Sequence, residues 1–549
     1  MGQSSIEDVT TAVESGPGSE PRHLVPALTI VSHPFTHRAG ERCLLEKLAP
    51  GSEVSLSRND PDFAPPDRKL GQPLGDPFVS RRPIRFTADP GGGVRVIVEP
   101  GGTPVVAGSP VNGAAAFTAD ELVRGVVLEL GDRVVLLLHL VDRRIEDAAD
   151  PLGMVGASIA IRRVRTAIER IVDLAVPVLI RGETGTGKEL VAQAIHARSP
   201  RRKGPFVSIN LGAVPRELAT AELFGATKGA YTGASSDRDG LFRTAHGGTL
   251  FLDELGEAAP EVQATLLRVL ETGEFYPVGA DKPVASNVRL IAATDANLEH
   301  QIEHGQFRAP LLHRLAGFEV RIPPLRERRE DIGLLFYHFA RKELEKLGEG
   351  HRLSPQDPYA RPWLPAHIAA QLVRYPWPGN IRELHNVTRQ LVIESRGLPQ
   401  LRLDPKLAER LGVTDRPTDA APPRPPSDPA IDVPRPPSDP AIELRRKPAD
   451  VTEDELENAL RACAWDLKAA ADRLRIPRPS IYDLIERSSR VRTAGDLSPD
   501  EIEHCFRACA GDLDAMVEQL RVSRRALVRR LRELGLAGRK PGRSSSDSG

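Results

Sequence analysis

The stretch Gly182-Glu183-Thr184-Gly185-Thr186-Gly187-Lys188-Glu189 narrows what this chain can fold into more than any other feature. The apolar run 176–180 before it reads as a buried strand, and residues 190–195 after it read as the start of a helix. Strand, glycine-rich turn, lysine and helix is the layout of a phosphate-binding loop. Its glycines let backbone N–H groups approach phosphate oxygens without a Cβ clash. The helix N-terminus adds partial positive charge and Lys188 a full one. Further apolar runs at 206–210, 249–252 and 288–293 alternate with helical stretches, one of them at 162–171. Buried strands separated by helices predict a parallel sheet covered on both faces. Ligand sites of such sheets lie at the carboxyl ends of the strands. The loop, Asp253-Glu254 and Thr294-Asp295 all fall there.

Asp253 and Glu254, after an apolar strand, have the types needed to hold Mg²⁺ and to orient and activate water. An Asp-Glu pair can also cap a helix, but a phosphate loop upstream favours the catalytic reading. The loop ends Lys188-Glu189, without the usual Ser/Thr hydroxyl for the metal, so Mg²⁺ leans on Asp253, water and phosphate oxygens.

The rest of the 549 residues divides by composition. Residues 1–26 are Ser-, Gly- and Glu-rich and predict a disordered tail. Residues 27–142 carry short apolar or alternating runs at 27–31, 43–48, 53–56, 94–98, 126–130 and 134–138, punctuated by Pro, Gly and Asp, which predicts an all-β sandwich. A polar linker, 143–153, leads into an α/β module at 154–396 whose helical lid begins at about 325. Residues 397–450 form a Pro-rich linker, in which 423–431 recurs as 434–442, and such repeats favour an extended spacer. The C-terminus repeats at an offset of 46: Arg461-Ala-Cys-Ala464 returns as Arg507-Ala-Cys-Ala510. The copies, 451–490 and 497–538, each read helix, turn, helix, short turn, helix, and residues 539–549 form a second disordered tail. Residues 521–540 carry eight basic residues and one acidic, against five and two in the matching span of the first copy. A basic stripe of this kind suits DNA phosphates, so Arg524, Arg525, Arg529 and Arg530 are the DNA-binding candidates. The first copy is left as a degenerate DNA reader or a dimerisation element.

The net charge of −1 gives no whole-chain polyelectrolyte argument. Aromatics are only 4 %, so the cores must rest on Leu, Val, Ile and Ala. Four cysteines without CxxC pairs suit a reduced, cytoplasmic protein, and no apolar run reaches the ~20 residues of a membrane span.

Several motifs in order carry a resemblance: GETGTGKE, then ELFGATKGAYTGA at 222–234, GGTLFLDE at 247–254, PPLRERREDI at 323–332 and WPGNIREL at 377–384. Together they resemble the AAA+ module of sigma-54-dependent transcriptional activators, the bacterial enhancer-binding proteins, in which the Lys-Glu ending is usual. The resemblance implies ATP and Mg²⁺ as cofactors and sigma-54, RNA polymerase and enhancer DNA as partners. It also implies a hexameric ring, with a dimer at rest. Gly229-Ala230-Tyr231-Thr232-Gly233-Ala234 matches the signature loop that engages sigma-54, with Tyr in place of Phe. Arg308 and Arg314 match the arginine fingers that reach the neighbour's γ-phosphate. Asn210 matches the switch residue that contacts the catalytic glutamate, and Arg382 the lid arginine that senses nucleotide. The C-terminal copies resemble the Fis-type helix-turn-helix, normally present once.

Residues 27–142 resemble, loosely, a forkhead-associated domain. Arg58, Ser80 and Arg81 would be its phosphate contacts, and the partner a phosphothreonine protein or a Ser/Thr kinase. Two motif residues are missing, a His after Ser80-Arg81 and an Asn before Gly102-Thr103, so a sandwich used only for protein contacts stays open. Two other readings of the whole chain, another AAA+ remodeller such as an unfoldase and a non-catalytic adaptor, lack an explanation for GAYTGA and for the phosphate loop respectively.

Overall fold

A computed structural model describes residues 24–412, apart from 67–70, 143–149, 231–235 and 355–356, and describes part of 451–531. The described residues of 24–412 belong to one compact unit and those of 451–531 to another.

The first unit opens with ten strands: β1 (Leu24–Ser32), β2 (Arg42–Leu44), β3 (Glu53–Leu56), β4 (Ile84–Asp89), β5 (Gly93–Ile97), β6 (Val105–Ala107), β7 (Ser109–Pro110), β8 (Ala114–Phe117), β9 (Val126–Leu130) and β10 (Val134–Asp142). They pair in two antiparallel sheets, β2-β1-β10-β9-β6-β7 and β3-β4-β5-β8. Leu28 and Ile30 of one sheet and Leu56, Ile84, Phe86 and Val96 of the other share one core. The short helix α1 (Ala119–Arg124) is opened by a capping box in which Thr118 and Glu121 satisfy each other's backbone N–H.

The ATPase-like module follows. Helix α2 (Ile159–Glu169) precedes β11 (Val178–Arg181), after which the phosphate loop runs into α3 (Lys188–Arg198). Then come β12 (Phe206–Asn210), α4 (Arg216–Phe224), α5 (Leu241–Thr244), β13 (Thr249–Asp253) and α6 (Pro260–Thr272). A hairpin, β14 (Glu274–Phe275) with β15 (Val284–Ala285), precedes β16 (Arg289–Thr294), α7 (Leu298–Glu303), α8 (Ala309–Leu315) and β17 (Phe318–Arg321). The five-stranded sheet has the order β12-β13-β16-β11-β17, all parallel. The central strands are apolar on both faces: Val178 and Ile180 pack into one core, Leu179 into the other. β17, on the sheet edge beside β11, has no counterpart among the expected strands.

The lid comprises α9 (Asp331–Lys346), α10 (Ala366–Arg374), α11 (Asn380–Glu394) and α12 (Pro405–Leu411). This corrects the boundary expected at 396. Asp404 caps α12, Pro405 stands in its first turn, Gly412 ends it in the left-handed region, and Leu401, Leu407 and Leu411 bury their side chains in the lid core. The rest of the expected linker, residues 413–450, lies outside the described residues.

The N-terminal sandwich is not a free appendage of the lid. Val31, Val127, Val135 and Leu137 alternate with the residues that fill the sandwich core, and they join Ile332, Leu335, Phe336 and Tyr337 of α9 in a single cluster. Gly333 marks the closest approach, since a Cβ there would lie 2.0 Å from the Val31 carbonyl oxygen. Ser32 Oγ and Tyr337 OH share a buried hydrogen bond of 2.7 Å, and Thr36 Oγ1 donates to Leu353 O at 2.8 Å.

In the C-terminal unit, helices Glu453–Ala462, Pro499–Ala508 and Leu513–Leu520 are described. Leu456 and Leu460 of the first repeat and Ile502, Phe506 and Met516 of the second belong to one hydrophobic core. Arg524, Arg525, Arg529 and Arg530 lie outside the described residues. Among the described residues no helix is long and apolar enough to cross a membrane.

Candidate nucleotide site and its lid

β11 delivers the phosphate loop at its carboxyl end, beside β16. Gly182 N–H donates to Thr294 O at 3.2 Å, and Thr184 Oγ1 bonds Asp295 Oδ2 at 2.5 Å, so the loop is tied to the end of β16. Gly187 (φ +101°) caps α3, a conformation a side chain would oppose. Thr186 Oγ1 donates to Glu183 O. Lys188 is buried and its ammonium donates to Gly182 O at 2.9 Å, folded back on its own loop.

The lid closes against this loop through groups whose roles were not legible in sequence. Asn380, fully buried in the left-handed region (φ 52°), donates through Nδ2 to Glu183 Oε2 and Thr184 O, both at 3.1 Å. Its Oδ1 accepts from Leu325 N–H at 2.8 Å. Arg326 holds Glu183 through two bonds of 2.6 and 2.8 Å, and this pairing keeps the Glu183 carboxyl below its ordinary range. The first N–H groups of α11, from Ile381 and Arg382, point at Gly185 O. Asp331, at the start of α9, accepts from Ala157 N–H, Ser158 N–H and Ser158 Oγ at 2.6–2.9 Å, anchoring the segment that leads into α2. Arg382, Thr184, Gly379 and Glu383 line an open cleft of about 420 Å³ between loop and lid. These lid residues sit within motifs already singled out, RERRED and PGN. Their signal was a buried-type Asn after Pro-Gly, but its contacts required the fold.

β13 ends at Asp253, whose Oδ1 accepts from Glu254 N–H at 3.0 Å. Glu254 itself is left-handed (φ 52°, ψ 47°), a conformation that costs a non-glycine residue about 1–2 kcal/mol. Such strain concentrates at functional sites. Its carboxylate and the Asn210 carboxamide converge on Gly212, where a Cβ would lie 2.2 Å from Glu254 Oε2 and 3.4 Å from Asn210 Oδ1. Asn210 Oδ1 accepts from Ala213 N–H at 3.1 Å, fixing the turn that follows β12. The fold therefore brings Asn210 and Glu254 to one spot from two neighbouring strands.

Arg308 and Arg314 stand at opposite ends of α8, both exposed and outside the cleft. The signature loop rises from a narrow neck. Ala226 bridges both Arg238 and Val278, and Gly225 and Gly240 touch backbone to backbone, a Cβ on Gly240 lying 2.3 Å from Gly225 N. Gly229 and Ala230 are at its base, with Ala230 against Gly279 of the hairpin beside it. Tyr231, Thr232, Gly233 and Ala234 lie outside the described residues.

In the sandwich, the segments singled out in sequence meet. Arg58 donates to Val79 O (2.8 Å) and Pro77 O (2.6 Å), Arg58 N–H to Ser80 O, and Ser80 N–H to Thr103 Oγ1 (2.7 Å). Ser80 is buried and its Oγ accepts from Arg82 N–H, whereas Arg81 is exposed. The Arg58 guanidinium thus organises the 77–80 loop with the donors that a phosphate would otherwise take.

Known proteins resemble the central module. The model of the sigma-54 interaction domain matches residues 154–321, and that of the AAA+ ATPase lid domain matches residues 326–410. The central module is a sigma-54 interaction domain with its AAA+ lid. The DNA-binding transcriptional regulator NtrC of Klebsiella pneumoniae is 45% identical over 271 residues, covering 49% of this chain and 55% of that protein. NtrC of Escherichia coli K12 is 47% identical over 245 residues, covering 44% and 50%. The chain spans about half the length of the curated relatives it matches. The crystal structure of NtrX from Brucella abortus in complex with ADP is 30% identical, covers 70% of each chain and has a TM-score of 0.42. The lid-domain match over 326–410 ends inside α12, in agreement with the lid boundary seen in the fold.

Proposed function

We propose that this chain is a sigma-54-dependent transcriptional activator. It hydrolyses ATP in a ring oligomer to remodel the sigma-54 RNA polymerase closed promoter complex from enhancer DNA. The match of residues 154–321 to the sigma-54 interaction domain carries this reading, together with the convergence of phosphate loop, Asp253-Glu254, Asn210 and Arg382 at one end of the sheet.

The loop N–H groups, the start of α3 and Lys188 take the phosphates. Lys188 must leave Gly182 O to do so, a short swing of a flexible side chain. Glu254 orients and deprotonates the attacking water, held in readiness beside Asn210 over Gly212. Arg382 reads the nucleotide from the lid, and Arg308 and Arg314 of the next subunit stabilise charge on the transferring phosphoryl group. The donor set fits Mg²⁺, which favours one or two carboxylates with water and phosphate oxygens. Asp253 is half-buried at a strand end, with Oδ1 alone engaged by the Glu254 N–H. When bound, the ion would neutralise charge on the β- and γ-phosphates. The GAYTGA loop delivers the stroke to sigma-54 from the neck that Gly225 and Gly240 pinch.

The sandwich regulates the ring as a forkhead-associated-like domain, and its seam with the lid supports restraint rather than activation. Arg133 pairs with Asp76 at 3.0 Å, both buried, and donates to Ala360 O and Pro358 O of the lid at 2.7 Å. Phe78 lies under the Arg133 guanidinium (4.4 Å) and against Tyr359 of the lid. Loop 76–80 therefore faces the lid on one side and Arg58 on the other, so a phosphothreonine that draws Arg58 from Pro77 and Val79 would loosen the hold on the lid.

Open-complex formation by sigma-54 polymerase tests the proposal. The purified protein should support it with ATP and lose it on Glu254→Gln. ATP turnover without open complexes at a sigma-54 promoter would point instead to another kind of AAA+ remodeller.

A further inference from the structure

We infer that Gln263 is a positioning residue for Arg308: it joins the turn behind Asp253-Glu254 to the arginine presented to the neighbouring subunit. The inference rests on the reading of Arg308 as an in-trans finger. Gln263 lies in the first turn of α6, only 1 % exposed, in a core otherwise lined by Val262, Leu266 and Phe307. A buried carboxamide needs partners, and all of those on Gln263 belong to two backbone segments. Nε2 donates to Ala258 O and to Gln306 O, each at 2.9 Å, and Oε1 accepts from Arg308 N–H at 3.0 Å. Two carbonyls and one N–H admit a single orientation of the amide.

Ala258 ends the turn that begins at Leu255, directly after Glu254. Gln306 and Arg308 frame Phe307, which is buried and anchors the finger loop from beneath. Arg308 is also the residue that opens α8, so its backbone N–H fixes where the exposed guanidinium starts. A second tether agrees: Gln306 N–H and Phe307 N–H both donate to Gln301 O of α7, at 2.8 and 3.2 Å. The Gln301 side-chain nitrogen in turn lies 3.4 Å from where a Cβ on Gly256 would be. A shift of the 255–258 turn on hydrolysis in one subunit is thereby passed to the finger that serves the next site. An apolar residue of similar volume would preserve packing and leave two carbonyls and an N–H unheld, so the finger would lose its fixed origin.

Mixed rings test this, with turnover and ATP KM as readouts. Gln263→Met alone should lower kcat on the order of 10²-fold, the cost of a displaced catalytic group, while KM changes little. Lys188→Ala subunits cannot bind ATP productively but keep intact fingers, and they should restore turnover when mixed with Gln263→Met, as they should with Arg308→Ala. Arg308→Ala subunits should give no such rescue of Gln263→Met. The reverse pattern, rescue by Arg308→Ala and none by Lys188→Ala, would place Gln263 in support of its own subunit's Glu254 and overturn the inference. Gln263→Glu keeps the acceptor for Arg308 N–H and is scored in the same mixtures should the Met variant fail to fold. Full turnover in both variants also overturns it. Full turnover in Arg308→Ala alone would instead remove the finger reading on which it rests.

Discussion

Glu254 shows how much one residue's chemistry owes to its backbone. Its identity and its place after an apolar strand were readable, but the left-handed backbone that turns its carboxylate toward Asn210 was not. Removing the charge at constant shape isolates the general-base role. Glu254→Gln should lower kcat for ATP by roughly 10²–10⁴-fold, the usual contribution of such a group. Binding of a fluorescent ATP analogue should persist, since Lys188 and the loop N–H groups are untouched. Parallel loss of binding and turnover would show that Glu254 shapes the loop rather than acting on water. At Asn380 the sequence offered only an Asn after Pro-Gly. Its contacts to Glu183, Thr184 and Leu325 join lid and loop. Asn380→Ala would strand the Leu325 N–H and should weaken ATP affinity more than it slows turnover, as measured by KM against kcat.

The neck of the signature loop illustrates what elements add to residues. Gly225 and Gly240 are too close for any side chain, because backbone rather than a flexible tip would meet the new Cβ. Gly240→Ala should splay the neck and abolish open-complex formation while ATP turnover survives. Equal loss of both would mean that the neck is part of the ATPase core. The sandwich carries a different signature. His33 and His139 are buried, and burial, with Arg38 beside His33 and Arg42 beside His139, lowers each to about 3 from an ordinary 6.5. The unfolded chain binds these protons first as pH falls. The two histidines therefore lend stability that is complete above pH 6.5 and is lost as pH drops from there towards 3, at up to about 1.4 kcal/mol per pH unit for each. The thermal unfolding transition of the sandwich should move down between pH 7 and 5, and His139→Asn should flatten that drop. An unchanged slope would mean that other groups govern it.

At the scale of the molecule, the sandwich and the lid share a hydrophobic core within one compact unit. Breaking a buried ion pair on one side strands its partner, so Arg133→Ala leaves Asp76 uncompensated and frees Pro358 O and Ala360 O at once. With the sandwich as a restraint, basal ATP turnover should rise in this variant. A fall in turnover, with the protein still folded by circular dichroism, would show that the sandwich instead supports the active lid. The C-terminal repeat adds a parallel case. Leu460 of the first copy and Phe506 of the second share one core, which favours the first copy as a packing partner of the second.

The sequence alone determined the parallel sheet, the phosphate loop, the Asp-Glu pair and the signature motif, because each depends on residue type at short spacing: glycines where backbone meets phosphate, apolar runs where strands are covered twice. It also held an unread hint. Val134-Val135-Leu136-Leu137-Leu138 is apolar at every position, the mark of a strand buried on both faces, and only the second face was unaccounted for. The tertiary structure decided what covers that face, namely the lid's α10, beside α9 on the neighbouring strand β1. It also decided which carbonyls Arg58 holds, where Asn380 and Gln263 reach, and that α12 completes the lid. Those facts depend on contacts between segments tens to hundreds of residues apart. Local spacing carries no record of such contacts, and the physics that selects them, burial with every polar group satisfied, acts only once the chain is folded.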